Sequence, residues 1–184
     1  MQSEALRLIS APFPKIEMSP ALTTRELYDR YVIPTYGRFE LRLARGSGAE
    51  VWDEDGKRYL DFGAVIAVTC IGHCHPRVVA TMQRQISTLV HTSNLYFTRP
   101  QGELAERLVR LVGKPGKVFF CNSGAEANEA LFKLARKFGN ESVGFASRHT
   151  VVTMQGSFHG RTLAGIAATG QDKVKKGFEP MVEG

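Results

Sequence analysis

Cysteine is scarce in this chain: 184 residues contain only Cys70, Cys74 and Cys121. So small and odd a number cannot frame a disulfide scaffold, and it favours a reducing cytoplasm. Apolar runs stop far short of the roughly 20 residues that a bilayer-spanning helix needs, and the N-terminus lacks the basic-then-apolar order of a signal segment. No membrane partner is expected. Charge of one sign is not concentrated either. Lys and Arg number 24 against 18 Asp and Glu, a net charge of +6, but the two signs are interspersed. Without a basic block interleaved with aromatics, that excess reads as solubility and attraction of anionic ligands, not as a nucleic-acid surface.

Several catalytic patterns are missing as well. The glycines match neither a dinucleotide fingerprint nor a phosphate-binding Walker loop. Ser157 is flanked at two residues' distance by Gln155 and His159, and Ser123 by Cys121 and Ala125, so neither sits in a nucleophile elbow. Cys70, His73, Cys74 and His75 have the chemistry of zinc ligands. Three of them are consecutive, however, and cannot readily converge on one tetrahedral ion. Gly72 to Pro76 therefore reads as a turn leading into a helix, and no metal is expected.

What remains is the make-up of a globular chain: 43% hydrophobic residues, enough for one ordinary domain or part of a larger one. Residues 1–20, with Pro12, Pro14 and Pro20, read as an extended arm. Thr23-Thr24-Arg25-Glu26 has the form of a capping box, opening a short helix that Pro34 ends. Glu50-Val51-Trp52 and Lys57 to Phe62 read as strands around a hairpin turn at Asp53 to Gly56, part of a small β-meander. Helices are expected from Pro76 to Val90 and from Thr98 to Gly113. Lys117 to Gly139 then organises the chain. Val118 to Cys121 is strand-forming, Asn122-Ser123-Gly124 breaks it, and a helix follows with Gly139 as its stop. Thr150 to Met154 is a second, β-branched strand, so helix and strand alternate as in an α/β sheet.

The first junction suits an anion. The first N–H groups of a helix lack intrahelical partners, and the macrodipole adds positive charge there. Gly124 lets the backbone approach a phosphate and Ser123 offers a hydroxyl. The same residues would also serve an ordinary strand–turn–helix with Ser123 as its N-cap and Glu126 and Glu129 complementing the dipole. The second strand ends in Gln155-Gly156-Ser157-Phe158-His159-Gly160-Arg161-Thr162. In a parallel sheet, residues just past the carboxyl ends of strands gather along one edge. Phe158 would then stack on a flat ring and Arg161 would offer a fork to a carboxylate. A core phenylalanine and a solvent arginine are the plainer alternatives.

Together these motifs resemble the class III, fold-type I aminotransferases that use pyridoxal 5′-phosphate, and among them the acetylornithine and ornithine aminotransferases. Asn122-Ser123-Gly124-Ala125-Glu126-Ala127-Asn128-Glu129 is similar to the family's phosphate cup. Ser157 to Thr162, with Ala168-Thr169-Gly170 beyond, is similar to its ring-stacking and carboxylate-binding segment. Val51-Trp52-Asp53, Tyr59 to Phe62 and Gly72 to Pro76 match family landmarks in the same order. The resemblance implies an N-terminal arm, helix and β-meander over residues 1–67, part of a small domain. Residues 68–184 would be the first part of a mainly parallel, cofactor-binding large domain.

By the same resemblance, Ser123, Gly124 and Ala125 would hold the cofactor phosphate and Phe158 would stack on its ring. Arg161 would bind the α-carboxylate of an amino-acid substrate, with Tyr36 lining the pocket. Homodimers and 2-oxoglutarate as amino acceptor are implied too. One departure matters. The family's Schiff-base lysine and its pyridinium-pairing aspartate lie downstream of the His-Gly-Arg segment, and none of Lys133, Lys137, Lys173, Lys175 or Lys176 is in that lysine's context. No catalytic residue is thus expected within these 184, and the resemblance reads as the N-terminal part of an enzyme: a fragment, a truncated product or a portion of a split protein. A non-catalytic domain that binds a phosphorylated ligand or pairs with a complete subunit is the alternative, and 4-aminobutyrate or ornithine are alternative amino donors.

Overall fold

A computed structural model describes residues 22–141 and 148–184. The arm expected over residues 1–20 lies outside the described residues, as does most of the polar connection after Gly139. The chain divides into two compact units, Met1–Ser93 and Asn94–Gly184.

In the first unit, helix α1 (Thr24–Tyr31) begins as its sequence dictates. The Glu26 N–H donates to Thr23 Oγ1 at 3.2 Å and the Thr23 N–H donates to Glu26 Oε2 at 2.8 Å, closing the capping box. Strands β1 (Leu43–Ser47), β2 (Glu50–Asp53) and β3 (Arg58–Leu60) form an antiparallel sheet in that order. Ser47 pairs with Glu50 and Val51 with Tyr59, and the β1 ladder is irregular between Leu43 and Arg45. Asp53 to Gly56 makes the expected turn, with Gly56 at φ +81°, where only glycine is unstrained. Val51 is buried, and the Arg45 guanidinium lies 3.7 Å over the Trp52 ring.

Beyond β3, Asp61 ties three pieces together. Its Oδ1 accepts the N–H groups of Gly63 and Ala64 at 3.1 and 2.8 Å, while Oδ2 meets His73 Nε2 at 2.7 Å. The two N–H groups open a single left-handed turn, Ala64–Ala67, with φ from 42° to 64°. Left-handed helix costs about 1–2 kcal/mol for each non-glycine residue, and the Asp61 bonds offset part of that. His73 in turn exchanges both backbone hydrogen bonds with Gly48, at 2.8 and 2.9 Å. Gly72, at φ +81°, is required here, because a Cβ would lie 2.8 Å from the Gly48 carbonyl oxygen.

This clasp is expected to be acid-sensitive. The hydrogen bond with His73 holds the Asp61 carboxyl below the usual carboxylate range. A carboxyl with a lower pKa folded than unfolded contributes stability above its unfolded value of about 4 and loses it as pH falls through the folded value. Hydrogen-exchange protection of the Ala64 amide, corrected for intrinsic rate, should therefore drop below about pH 4. Asp61→Asn should lack that step. Equal pH profiles in the two proteins would refute it. Helix α2 (Pro76–Ile86) then starts at Pro76, as expected, and stops short of Val90.

The second unit holds α3 (Arg99–Val112), closed by Gly113 at φ +70°, then α4 (Gly124–Glu141), α5 (Leu163–Ala168) and α6 (Asp172–Lys175). Two expectations differ here. Gly139 does not stop its helix: α4 runs on to Glu141, and Gly139 is buried within it, where the Arg148 backbone passes too close for a Cβ. Val118–Cys121 and Thr150–Met154 join no ladder among the described residues. A strand exists only against a neighbour, and here the Val151 N–H donates to the Gly184 carbonyl and Thr153 Oγ1 to that of Ala168 instead.

Packing is sparse. Among the described residues the buried apolar side chains are Val51, Phe132, Ile166 and Val174. The apolar stripe of α3 (Leu104, Leu108, Leu111) and that of α2 (Val78, Met82, Ile86) face outward. No helix among the described residues is long and apolar enough to cross a membrane.

Candidate functional site

The site grows from the start of α4. Ser123 precedes the first helical residue, and its Oγ accepts the Glu126 N–H at 3.2 Å. Gly124 and Ala125 contribute the first two helical N–H groups, for which no acceptor is found among the described residues. A Cβ on Gly124 would meet nothing within 4 Å, so open space lies in front of this helix end. Eighteen residues of helix stand behind it, aligning peptide dipoles toward those free donors.

The second motif is fixed against the first by its backbone. The His159 carbonyl accepts from Asn128 Nδ2 at 3.0 Å, and the His159 ring meets the Phe132 ring edge-on, centroids 6.0 Å apart. Gly160, at φ +110°, lies so close to α4 that a Cβ would come within 2.8 Å of Ala125 Cβ. From the other side, the fully buried Thr169 hydroxyl accepts the His159 N–H at 3.0 Å and donates to the Gly165 carbonyl at 2.8 Å. Thr162 caps α5 through the Gly165 N–H. The turn is thus gripped between α4 and α5.

Of the residues singled out by sequence, Ser123, Gly124, Ala125, Phe158 and Arg161 all lie in the second unit, on these two joined segments. Phe158 is 56% exposed. The Arg161 guanidinium stands 5.6 Å over its ring and has no carboxylate partner among the described residues. Phe158 is thus not the core phenylalanine of the plainer alternative, while Arg161 is exposed, as a solvent arginine would be. Tyr36 lies in the first unit, where it lines a hollow of about 720 Å³ with Arg25, Tyr28, Arg38, Phe39 and Arg42. A second hollow of about 360 Å³ lies between α4 and α5, lined by Phe132, Lys133, Arg136, Thr153 and Leu163. Ser123, Gly124, Phe158 and Arg161 line neither; the cup is an open surface.

Asn128 and Thr169 carry more of this geometry than the sequence revealed. By sequence Asn128 and Thr169 stand out only as members of the two family-like segments, with no role of their own. The Ser-x-x-Glu spacing of Ser123 and Glu126 was the one signal of how the turn is held.

Comparison with known proteins gives the chain its family. The model of the family "Aminotransferase class-III" matches residues 31–184. The chain belongs to that family, whose cofactor is pyridoxal 5′-phosphate and whose fold is fold-type I. It is 49% identical over 177 residues to the acetylornithine aminotransferase of Thermosynechococcus vestitus, covering 96% of this chain and 41% of that protein. The ornithine aminotransferase of Toxoplasma gondii ME49 superposes with a TM-score of 0.81 at 30% identity, over 89% of this chain and 39% of that one. N-acetylornithine aminotransferase of Stenotrophomonas maltophilia K279a gives 0.66 at 40% identity, over 73% and 35%. The chain spans about two fifths of the length of such relatives.

The residues present fit the cofactor. A phosphate finds two unclaimed N–H donors, a glycine with open space before it and a neighbouring hydroxyl, all at the positive end of a long helix.

Proposed function

We propose that this chain supplies the phosphate cup and substrate-carboxylate arm of an aminotransferase that moves an amino group from N-acetylornithine, or a related ω-amino donor, to 2-oxoglutarate. The observation that carries this reading is the close seating of Gly160 on Ala125, which puts the His-Gly-Arg turn beside the helix start. Gly124 and Ala125 N–H groups and the Ser123 hydroxyl bind the phosphate. Phe158 covers one face of the ring and keeps water from it. The Arg161 fork takes the substrate α-carboxylate through two parallel hydrogen bonds, which fixes the orientation of the neighbouring amine-bearing carbon. Pyridoxal 5′-phosphate, when bound, supplies an electron sink for that carbon. Tyr36 lines the substrate side, a homodimer in the cytoplasm is the working form, and residues 1–67 and 68–184 are the small- and large-domain portions.

The high identity to acetylornithine aminotransferases over nearly the whole chain supports this donor over ornithine or 4-aminobutyrate. A non-catalytic domain that binds a phosphorylated ligand is the second reading, which the free N–H groups at the start of α4 would serve equally well. Fluorescence titration with pyridoxal 5′-phosphate and with pyridoxal tests the cup, since both aldehydes meet the same surface lysines. The phosphorylated form should bind at least about tenfold more tightly, and Gly124→Asp should abolish the difference. Equal binding of the two compounds by the unaltered chain would overturn the proposal. Glutamate formation from 2-oxoglutarate with each of the three donors, assayed on a polypeptide that joins this chain to a segment carrying the Schiff-base lysine, separates the enzyme from the binding domain.

A further inference from the structure

The helix start that is proposed to hold a phosphate already carries an anion of its own. Glu126 folds back over the turn. Its Oε2 accepts the Asn122 backbone N–H at 2.6 Å and Ser123 Oγ at 3.3 Å, and its Oε1 accepts from Asn122 Nδ2 at 3.3 Å. With the reciprocal bond, Glu126 N–H to Ser123 Oγ, this is half of a capping box; the carboxylate takes the N–H of Asn122, one residue before the N-cap, in place of that of Ser123. These donors, the Asn122 side chain foremost, hold the carboxyl below its ordinary range. Glu126 enters no ion pair among the described residues. Its negative charge is therefore balanced only by N–H and O–H dipoles, and these are the same kind of donor a phosphate would use.

We infer that Glu126 is an affinity-setting residue for the phosphate: its carboxylate keeps the empty turn in shape, and its charge holds the affinity for a phosphate monoester down. This rests on the cup proposed above. Ser123 Oγ is committed to Glu126, so a phosphate must share it. A dianion on the Gly124 and Ala125 N–H groups then sits within one helical turn of a full negative charge, a repulsion partly screened by water.

Glu126→Gln separates the two roles, because its amide oxygen can still accept the Asn122 N–H while the charge is gone. Titrated into the chain, pyridoxal 5′-phosphate should bind this variant about threefold to tenfold more tightly than the unaltered protein. Pyridoxal should bind both alike, and far-UV circular dichroism should be the same. Glu126→Asp, which keeps the charge on a shorter arm, should not tighten binding even where it loosens the helix start. Unchanged or weaker phosphate-dependent binding in Glu126→Gln, or tightening in Glu126→Asp, would overturn the inference and leave the cup standing. Failure of the unaltered chain to prefer the phosphorylated compound would remove the cup and this inference together.

Discussion

Gly160→Ala is expected to separate the two halves of the site. At φ +110° an L-residue is strained, at a cost of order 1–3 kcal/mol. The new Cβ would also lie 2.8 Å from Ala125 Cβ and 3.0 Å from its Cα, and neither atom is the far end of a flexible side chain. Overpacking of this kind costs about 1–3 kcal/mol. The turn must lift from α4, and with it go the Asn128 bond to the His159 carbonyl and the Phe132–His159 ring contact. A combined loss of about 3 kcal/mol is roughly a hundredfold in an equilibrium constant. Binding of pyridoxal 5′-phosphate should fall by up to about that factor, the phosphate-dependent part through the shifted helix start and the part shared with pyridoxal through the lost position of Phe158. Unchanged binding together with unchanged amide exchange across residues 158–162 would show that the seating of Gly160 does not matter.

Thr169→Val should have the second-largest effect, although it conserves volume. Thr169 is wholly buried, and its one hydroxyl both accepts the His159 N–H and donates to the Gly165 carbonyl. Valine removes it without opening a cavity, leaving a buried N–H with no acceptor, which costs about 1–3 kcal/mol. The His159 amide should exchange about tenfold faster or more. Thr169→Ser, which keeps the hydroxyl, should restore most of the protection. Equal exchange in the valine and serine variants would mean that water reaches the His159 N–H and replaces the side chain.

Features decided within four residues of chain were legible in the sequence. The Thr23–Glu26 box, the Asp53–Gly56 turn, the helix start at Pro76 and the Gly113 stop each depend on a local side chain or a local φ. So does the opening of α4 at Ser123 and Gly124. Features set by distant partners were not. Val118–Cys121 has strand-forming side chains, but pairing requires a neighbour that its own residues cannot specify. Gly139 carries the signature of a helix stop, yet its lack of a side chain serves close passage of the Arg148 backbone. The spacing around His73 argues against a metal but does not point to its partner, Asp61, twelve residues away in the chain. The sheet edge expected to bring Phe158 and Arg161 to the cup forms no ladder among the described residues; there Asn128, Gly160 and Thr169 hold the turn in place.

The outward-facing apolar stripes also have a calorimetric meaning. Leu104, Leu108 and Leu111 already contact water in the folded chain, so unfolding wets less new surface on them than on buried leucines. The heat-capacity increment of a compact protein, about 12–15 cal/mol/K per residue, comes from newly wetted apolar surface. With so few apolar side chains buried among the described residues, this chain should unfold with a smaller increment and a shallow dependence on denaturant. Its melting curve would be broad, and a ligand that covered the stripes would sharpen it.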